Sequence, residues 1–413
     1  EAQNFSWRRR KRRLDFMSSP LKGIKILDLT HMLAGPYGTM VLADLGAEII
    51  KIEPPLKGEI TRNLLKNDPD YSVDGVGAYH LTLGRNKKSL TLDLKSDPGK
   101  HIFYQLVKKA DVVIDNFSSG VTKRLKIDHE TLKAHNEKII SCSISGFGED
   151  AESNRPAYDN VIQGVSGLMS LTGLNSENPV KSGVPISDLS TGLFAIIGIL
   201  TALRKKEATG IGEKIDISML DCQASLLNYM ATMHLISGKD PEPIGNEHPV
   251  HTPFNSYKTA DGFIILSVVH EDFWPNLVKA LDLKDLDKEE YKSATGRSKD
   301  RVEIDSALQK IFITNSSDHW LKILNDHRVP CGPVNKLSEV FNDPDLIKRD
   351  MIAEVIQPSG KAVKMPGNPL KIGDAKTEYK SSPELGEHSA EILNNWLGMT
   401  DDQIAELKEE NII

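Results

Sequence analysis

Apolar and polar positions repeat with two different periods through the first half of the chain. In 24–29 (IKILDL) they largely alternate, the period of a strand. The loop 30–36 (THMLAGP) follows, and Pro36 suits the first turn of a helix, where a missing N–H costs nothing. Tyr37, Met40, Val41 and Leu45 then recur at helical spacing until Gly46 stops the helix. A second strand, 47–53 (AEIIKIE), ends in the carboxylate of Glu53.

The same alternation continues. Strands are predicted at 89–94, 111–115, 139–144 and 214–218. Between them, Ser96 and Pro98 open one helix with apolar positions Ile102, Phe103, Leu106 and Val107, and a second starts near Asp128. Strands alternating with helices imply a mainly parallel sheet covered on both faces, a Rossmann-like α/β domain. Ligands on such sheets bind at the carboxyl ends of the strands, where His31, Lys95 and Asn116 fall. The loop after the first strand carries only Gly35, so the GxGxxG fingerprint of nicotinamide and flavin sites is missing.

Beyond residue 214 the texture changes. One helix is predicted over 220–236, and the polar, Pro- and His-rich stretch 237–252 reads as a linker. The segments 254–258 and 263–267 form a hairpin turning at Asp261 and Gly262. Helical patterns around Trp274, Leu277, Trp320, Leu321 and Leu324 follow, and 385–413 reads as two helices. The expected division is a basic leader remnant or disordered segment at 1–19, a large domain of 20–225 plus 335–413, and a linker with a small α+β domain at 226–334.

Composition narrows the function. The 413 residues are 39% hydrophobic and 26% charged, which is ordinary globular material. A net charge of −7 argues against a nucleic-acid partner. The longest apolar run is too short for a bilayer, so no membrane association is expected. Cys142, Cys222 and Cys331 are widely separated and match neither a disulfide framework nor a metal site. The six consecutive cations at 8–13 read as a mitochondrial leader remnant, a basic patch or added sequence. A mitochondrial matrix location is the expectation, and a cytoplasmic one the alternative.

One stretch stands out, 183–192 (GVPISDLSTG), followed by the apolar 11 residues 193–203 (LFAIIGILTAL). The second part reads as a buried helix, and Asp188 lies where that helix should begin. Free backbone N–H groups and the helix dipole would both keep a carboxylate there ionised. Asp188 is thus either an ordinary N-cap or a charged oxygen nucleophile.

The chain resembles the class III coenzyme A-transferases, the group that includes formyl-CoA transferase and carnitine CoA-transferase. The matching segments are 28–36, 47–55, 86–89 (NKKS), 92–95 (LDLK), Asn116 and Phe117 with Arg124, 158–160 (YDN), 167–170 (GLMS), Ser187 and Asp188, 330–334 (PCGPV) and 385–388 (LGEH). They occur in family order across nearly the whole folded chain.

The resemblance implies that Asp188 is the nucleophile and that acyl-CoA thioesters are substrates, with no permanently bound cofactor and no metal. It implies CoA contacts at His31, Leu33, Ala34, Lys95, Asn116, Phe117, Arg124, Tyr158 and Asp159. It further implies a homodimer of two interlocked chains, for which 241–253 suits a crossover. Formyl-CoA transferase has glutamine where Leu33 stands and a glycine-rich loop that is not visible here. This favours a roomier, less polar acyl pocket, with succinyl-CoA as donor and glutarate or another dicarboxylate as acceptor. Arg62, Arg85, Lys87 and His251 are candidates for the far carboxylate, or else solvated surface groups. The rival readings are an α-methylacyl-CoA racemase-like epimerase, whose catalytic histidine is replaced here by Tyr158, and a non-catalytic CoA-binding protein.

Overall fold

The computed structural model describes residues 19–151 and 155–413; the basic run at 8–13 lies outside them. The chain forms two compact units. The first comprises the described residues up to Leu168 together with Ser182–Met233 and Ile347–Ile413, and the second Met169–Lys181 and His234–Leu346.

In the first unit six strands form one sheet: β1 (Lys25–Asp28), β2 (Glu48–Glu53), β3 (Lys88–Thr91), β4 (Val112–Asp115), β5 (Ile140–Ser145) and β6 (Lys214–Ser218). Their order is β3-β2-β1-β4-β5-β6, and every neighbouring pair is parallel. All six strands are those anticipated from the alternation. The order reverses between β1 and β4, so a crevice opens at the carboxyl ends of those two strands.

Successive residues of each strand point to opposite faces, and each face has its own core. Ile26, Ile49, Val112 and Ile140 join one cluster. Leu27, Ile50 and Val113 join the other. Helices α1 (Ala34–Asp44) and α4 (Ile186–Thr209) supply Met40, Val41, Ala195 and Ile199 to the first cluster. Helix α2 (Asp97–Val107) supplies Ile102, Phe103 and Leu106 to the second, and the C-terminal helical segments add Ile392, Leu393 and Ile404. Helix α2 starts as its sequence dictates: the Ser96 hydroxyl accepts the Gly99 N–H at 3.1 Å, and Pro98 occupies the first turn. The short α3 (Asp159–Val165) precedes α4, and α5 (Met219–Leu226) follows β6.

Helix α4 is longer than the apolar run suggested. Its 24 residues are long and apolar enough to cross a membrane, but half of that apolar stretch is buried inside the fold, as in a core helix. Two glycines let it touch α1. A Cβ on Gly192 would meet the Ala34 carbonyl oxygen at 2.5 Å, and one on Gly38 would meet the Gly192 oxygen at 3.0 Å. Only the missing side chains permit this approach, which sets the start of α4 beside the loop leaving β1.

The helix predicted over 220–236 is two helices, α5 and Asn228–Ser237, because Asn228 takes a left-handed conformation (φ 47°) that interrupts the ladder. Alternation also failed to reveal the hairpin Ile352–Ile356 with Ala362–Pro366, which belongs to the first unit.

The second unit holds a three-stranded antiparallel sheet of Phe254–Lys258, Phe263–Ser267 and Cys331–Pro333. Its core is aromatic: Trp274 meets Tyr291 edge-on at 5.9 Å, and Phe312 meets Trp320 at 5.6 Å.

Candidate active site

The crevice between β1 and β4 is held in shape from below and from the side. Below, Asp28 is fully buried at the end of β1. Its carboxylate accepts from the Thr30 N–H and hydroxyl, the Thr39 hydroxyl, Lys51 at 3.2 Å and Lys87 at 3.1 Å. Burial alone would raise its pKa, but the two ammonium groups and the two hydroxyls overcome this and hold it far below the usual carboxylate range. Lys51 also donates to the Thr30 carbonyl. At the side, the Asn116 amide clasps the His31 backbone, accepting its N–H and donating to its carbonyl, both at 2.7 Å. The loop after β1 is therefore fixed before any ligand arrives.

Two cavities flank this loop. The larger, about 560 Å³, runs over the carboxyl ends of β1, β2, β4 and β5. His31, Leu33, Ala34, Asn116, Phe117, Tyr158 and Asp188 all line it. The smaller, about 370 Å³, is lined by Glu53, Pro54, Leu92, Lys95 and Leu125, among others. His31 and Phe117, with ring centroids 5.6 Å apart, line both cavities. Burial, then the nearby Lys51 charge, lower the His31 pKa, so its ring is neutral at physiological pH. Arg124 is exposed and lies outside both linings, one residue from Leu125.

Asp188 departs from the sequence expectation in an instructive way. The helix begins at Ile186 with Pro185 as N-cap, so Asp188 is its third residue and not its cap. The free N–H groups of the first turn are taken by Asp159 instead. One Asp159 oxygen accepts from Ser187 N at 2.8 Å and Asp188 N at 3.4 Å, and the other from Gln163 Nε2 at 2.7 Å. The Asp188 carboxylate hydrogen-bonds to no other described residue. Half-buried and facing a second carboxylate, it is not fully ionised: burial first, then the Asp159 charge, push its pKa up to about 7. The groups expected to keep Asp188 charged stabilise its neighbour.

The cations singled out for an acceptor carboxylate are mostly engaged elsewhere. Arg85 is 1% exposed and grips Asp44 at 2.7 and 3.2 Å while donating to the Pro366 carbonyl. Lys87 is buried on Asp28, Thr39 and the Pro36 carbonyl. Arg62 forms a two-point bridge to Glu53, at 2.6 and 2.7 Å. Arg85 and Lys87 are thus internal counter-ions, a correction to their reading as candidates. Neither they nor Arg62 line the cavity that holds Asp188. His251 lies in the second unit, with its ring 4.7 Å from that of His248.

Several lining residues escaped the sequence reading: Met32, Ile60, Ser145 at the end of β5 with the loop 146–148 after it, Arg155 and Met219. The strand-end rule had the means to find that loop. Strand β5 was anticipated, and its carboxyl end meets the cavity as the rule requires.

Sheet order and crevice together define a Rossmann-type α/β fold with a cavity at the strand ends, on whose wall Asp188 lies. The chain belongs to CoA-transferase family III, whose model matches residues 21–389. It is 35% identical to human succinyl-CoA:glutarate CoA-transferase over 95% of this chain and 90% of the relative. It is likewise 35% identical to the acetyl-CoA:oxalate CoA-transferase of Acetobacter aceti, over 90% and 95% of the two chains. The crystal structure of a CAIB/BAIF family protein from Brucella suis matches with a TM-score of 0.81 at 35% identity, covering 92% of this chain and 100% of that one. The chain is therefore a CoA-transferase, and CoA thioesters are substrates of this class of enzyme.

Proposed function

We propose that this enzyme moves CoA from succinyl-CoA to a dicarboxylate acceptor, glutarate being favoured, with Asp188 as the nucleophile. The observation that carries the reading is Asp188 itself: a half-buried carboxylate without a hydrogen-bond partner among the described residues, on the wall of the larger cavity. An ionised Asp188 oxygen attacks the thioester carbonyl of the donor, and the CoA thiolate leaves. The product is a mixed anhydride between Asp188 and the donor acid. The thiolate then attacks the Asp188 carbonyl, releases the donor as its carboxylate and leaves an aspartyl-CoA thioester. The acceptor carboxylate attacks that thioester, the thiolate leaves again, and its attack on the acceptor carbonyl forms the new acyl-CoA and restores Asp188. Bonds formed and broken balance without ATP or a change of oxidation state.

The smaller cavity, with Lys95 at its edge, suits the nucleotide end of CoA, and the His31–Phe117 wall suits the passage of pantetheine toward Asp188. Relatives at equal identity are named for glutarate and for oxalate, so both point to diacids without choosing their length. The preference for glutarate rests on the apolar lining that Met32, Leu33, Ile60, Ile144 and Met219 offer to a methylene chain. The proposal includes an interlocked homodimer. It is supported by apolar side chains left exposed in the first unit, among them Val161 and Val165 on α3 and Leu193 and Ile197 on α4.

Asp188→Ala should abolish transfer and leave CoA binding intact. Wild-type enzyme given succinyl-CoA and hydroxylamine should yield a hydroxamate at Asp188. Substantial transfer by the alanine variant refutes the assignment.

A further inference from the structure

We propose that Arg155 reads the far carboxylate of the dicarboxylic acyl group, on the acyl-CoA donor and on the free acceptor alike. This rests on the transfer reaction proposed above and adds the residue that selects diacids. A carboxylate at the far end of a succinyl or glutaryl chain has to be matched by a positive group, because an apolar wall gives it no substitute for water. Arg62, Arg85 and Lys87 do not line the cavity that contains Asp188. Among the described residues lining the cavity that contains Asp188, Arg155 is the only lysine or arginine.

Its surroundings suit the role. The guanidinium lies over the Phe147 ring, 4.6 Å from its centroid, a cation–π contact. A guanidinium is a planar fork, the geometry that meets a carboxylate at two points. Apolar residues line the same cavity: Met32, Leu33, Ile60, Ile144 and Met219. Arg155 is absent from the cavity that holds Lys95, which separates it from the anions of the nucleotide. Sequence reading passed over it because no residue pattern marks a cation as facing a cavity.

The test compares ligands that differ only in the far carboxylate. In the non-turnover Asp188→Ala background, calorimetry gives the affinities of succinyl-CoA, butyryl-CoA and free CoA with Arg155 present and with Arg155→Gln. In parallel, steady-state kcat/KM for glutarate is measured in the variant that retains Asp188. Arg155 is exposed, so the substituted chain should fold, and a Tm equal to that of the parent confirms it. The expected result is about a tenfold or greater loss for succinyl-CoA and for glutarate, with butyryl-CoA and free CoA unchanged. Arg155→Lys should restore part of the loss, since it keeps the charge but not the fork. Equal weakening of succinyl-CoA, butyryl-CoA and CoA would overturn the inference by assigning Arg155 to the phosphates. No weakening of any would overturn it outright. Wild-type enzyme that transfers CoA to no diacid would instead bring down the transfer reading, a result visible before any variant is made.

Discussion

The proton affinity of Asp188 gives the sharpest test of the site. With a pKa of about 7, about one tenth of the enzyme carries the ionised nucleophile at pH 6, about half at pH 7 and about nine tenths at pH 8. Only the ionised form attacks, so the first half-reaction should rise with pH and level off above pH 8. Burial is the larger cause of the elevation and the Asp159 charge the second. Asp159→Asn removes the second cause while its amide oxygen can still accept the Ser187 N–H. Because burial remains, the midpoint should fall by on the order of one pH unit, toward about 6. At pH 6 the ionised fraction then grows from about one tenth to about one half, roughly a fivefold gain relative to the plateau, and at pH 8 it hardly changes. The Asn nitrogen now faces Gln163 Nε2, which donated to the lost carboxylate. This loosens the start of α4 and lowers the plateau, which is why each profile is normalised to its own. The assay is single-turnover formation of the hydroxylamine-trapped Asp188 adduct, followed by mass spectrometry from pH 5 to 9. A midpoint that stays at 7 or climbs would show that Asp159 does not control the ionisation of Asp188.

Two further outcomes follow from the geometry. Arg85→Gln should cost about 3–5 kcal/mol in denaturant unfolding by stranding buried Asp44, while the folded enzyme keeps its KM for glutarate; an unchanged Tm with a raised KM would reverse the assignment of Arg85 as an internal counter-ion. Gly192→Ala should cost about 1–3 kcal/mol and lower kcat, because the new methyl would meet the Ala34 oxygen at 2.5 Å, whereas Gly183→Ala, with open space around it, should match wild type in both.

The sheet was legible because burial on both faces writes itself into each strand. Residues such as Ile26 and Leu27 fill opposite cores, so neither can be polar. The loops after β1 and β4 were legible because strand ends are ligand positions whatever the family. What stayed hidden was mutual. Nothing at Asp159 marks it as the partner of helix N–H groups 28 and 29 positions away. Nothing at Arg85 announces Asp44, which lies 41 residues earlier. A charge read alone looks available, and only the folded chain shows which ones already have partners. The split after α5 was missed for a different reason: one left-handed asparagine leaves the hydrophobic spacing on either side intact.

The common wall formed by His31 and Phe117 also bears on how such enzymes diversify. The smaller cavity draws on the ends of β2 and β3 and on Asn411, and the larger on the ends of β4 and β5, on Arg155 and on the start of α4. With the nucleotide in the first and the acyl group in the second, as proposed, mutations on the second side can alter the length and charge of the acyl group while leaving the first side untouched. New acid preferences are then reachable by single steps, each keeping a working grip on the coenzyme. A lineage built on such a partition would be expected to retain its nucleotide pocket while its acyl chemistry wandered, as relatives named for oxalate and for glutarate at equal distance from this chain suggest.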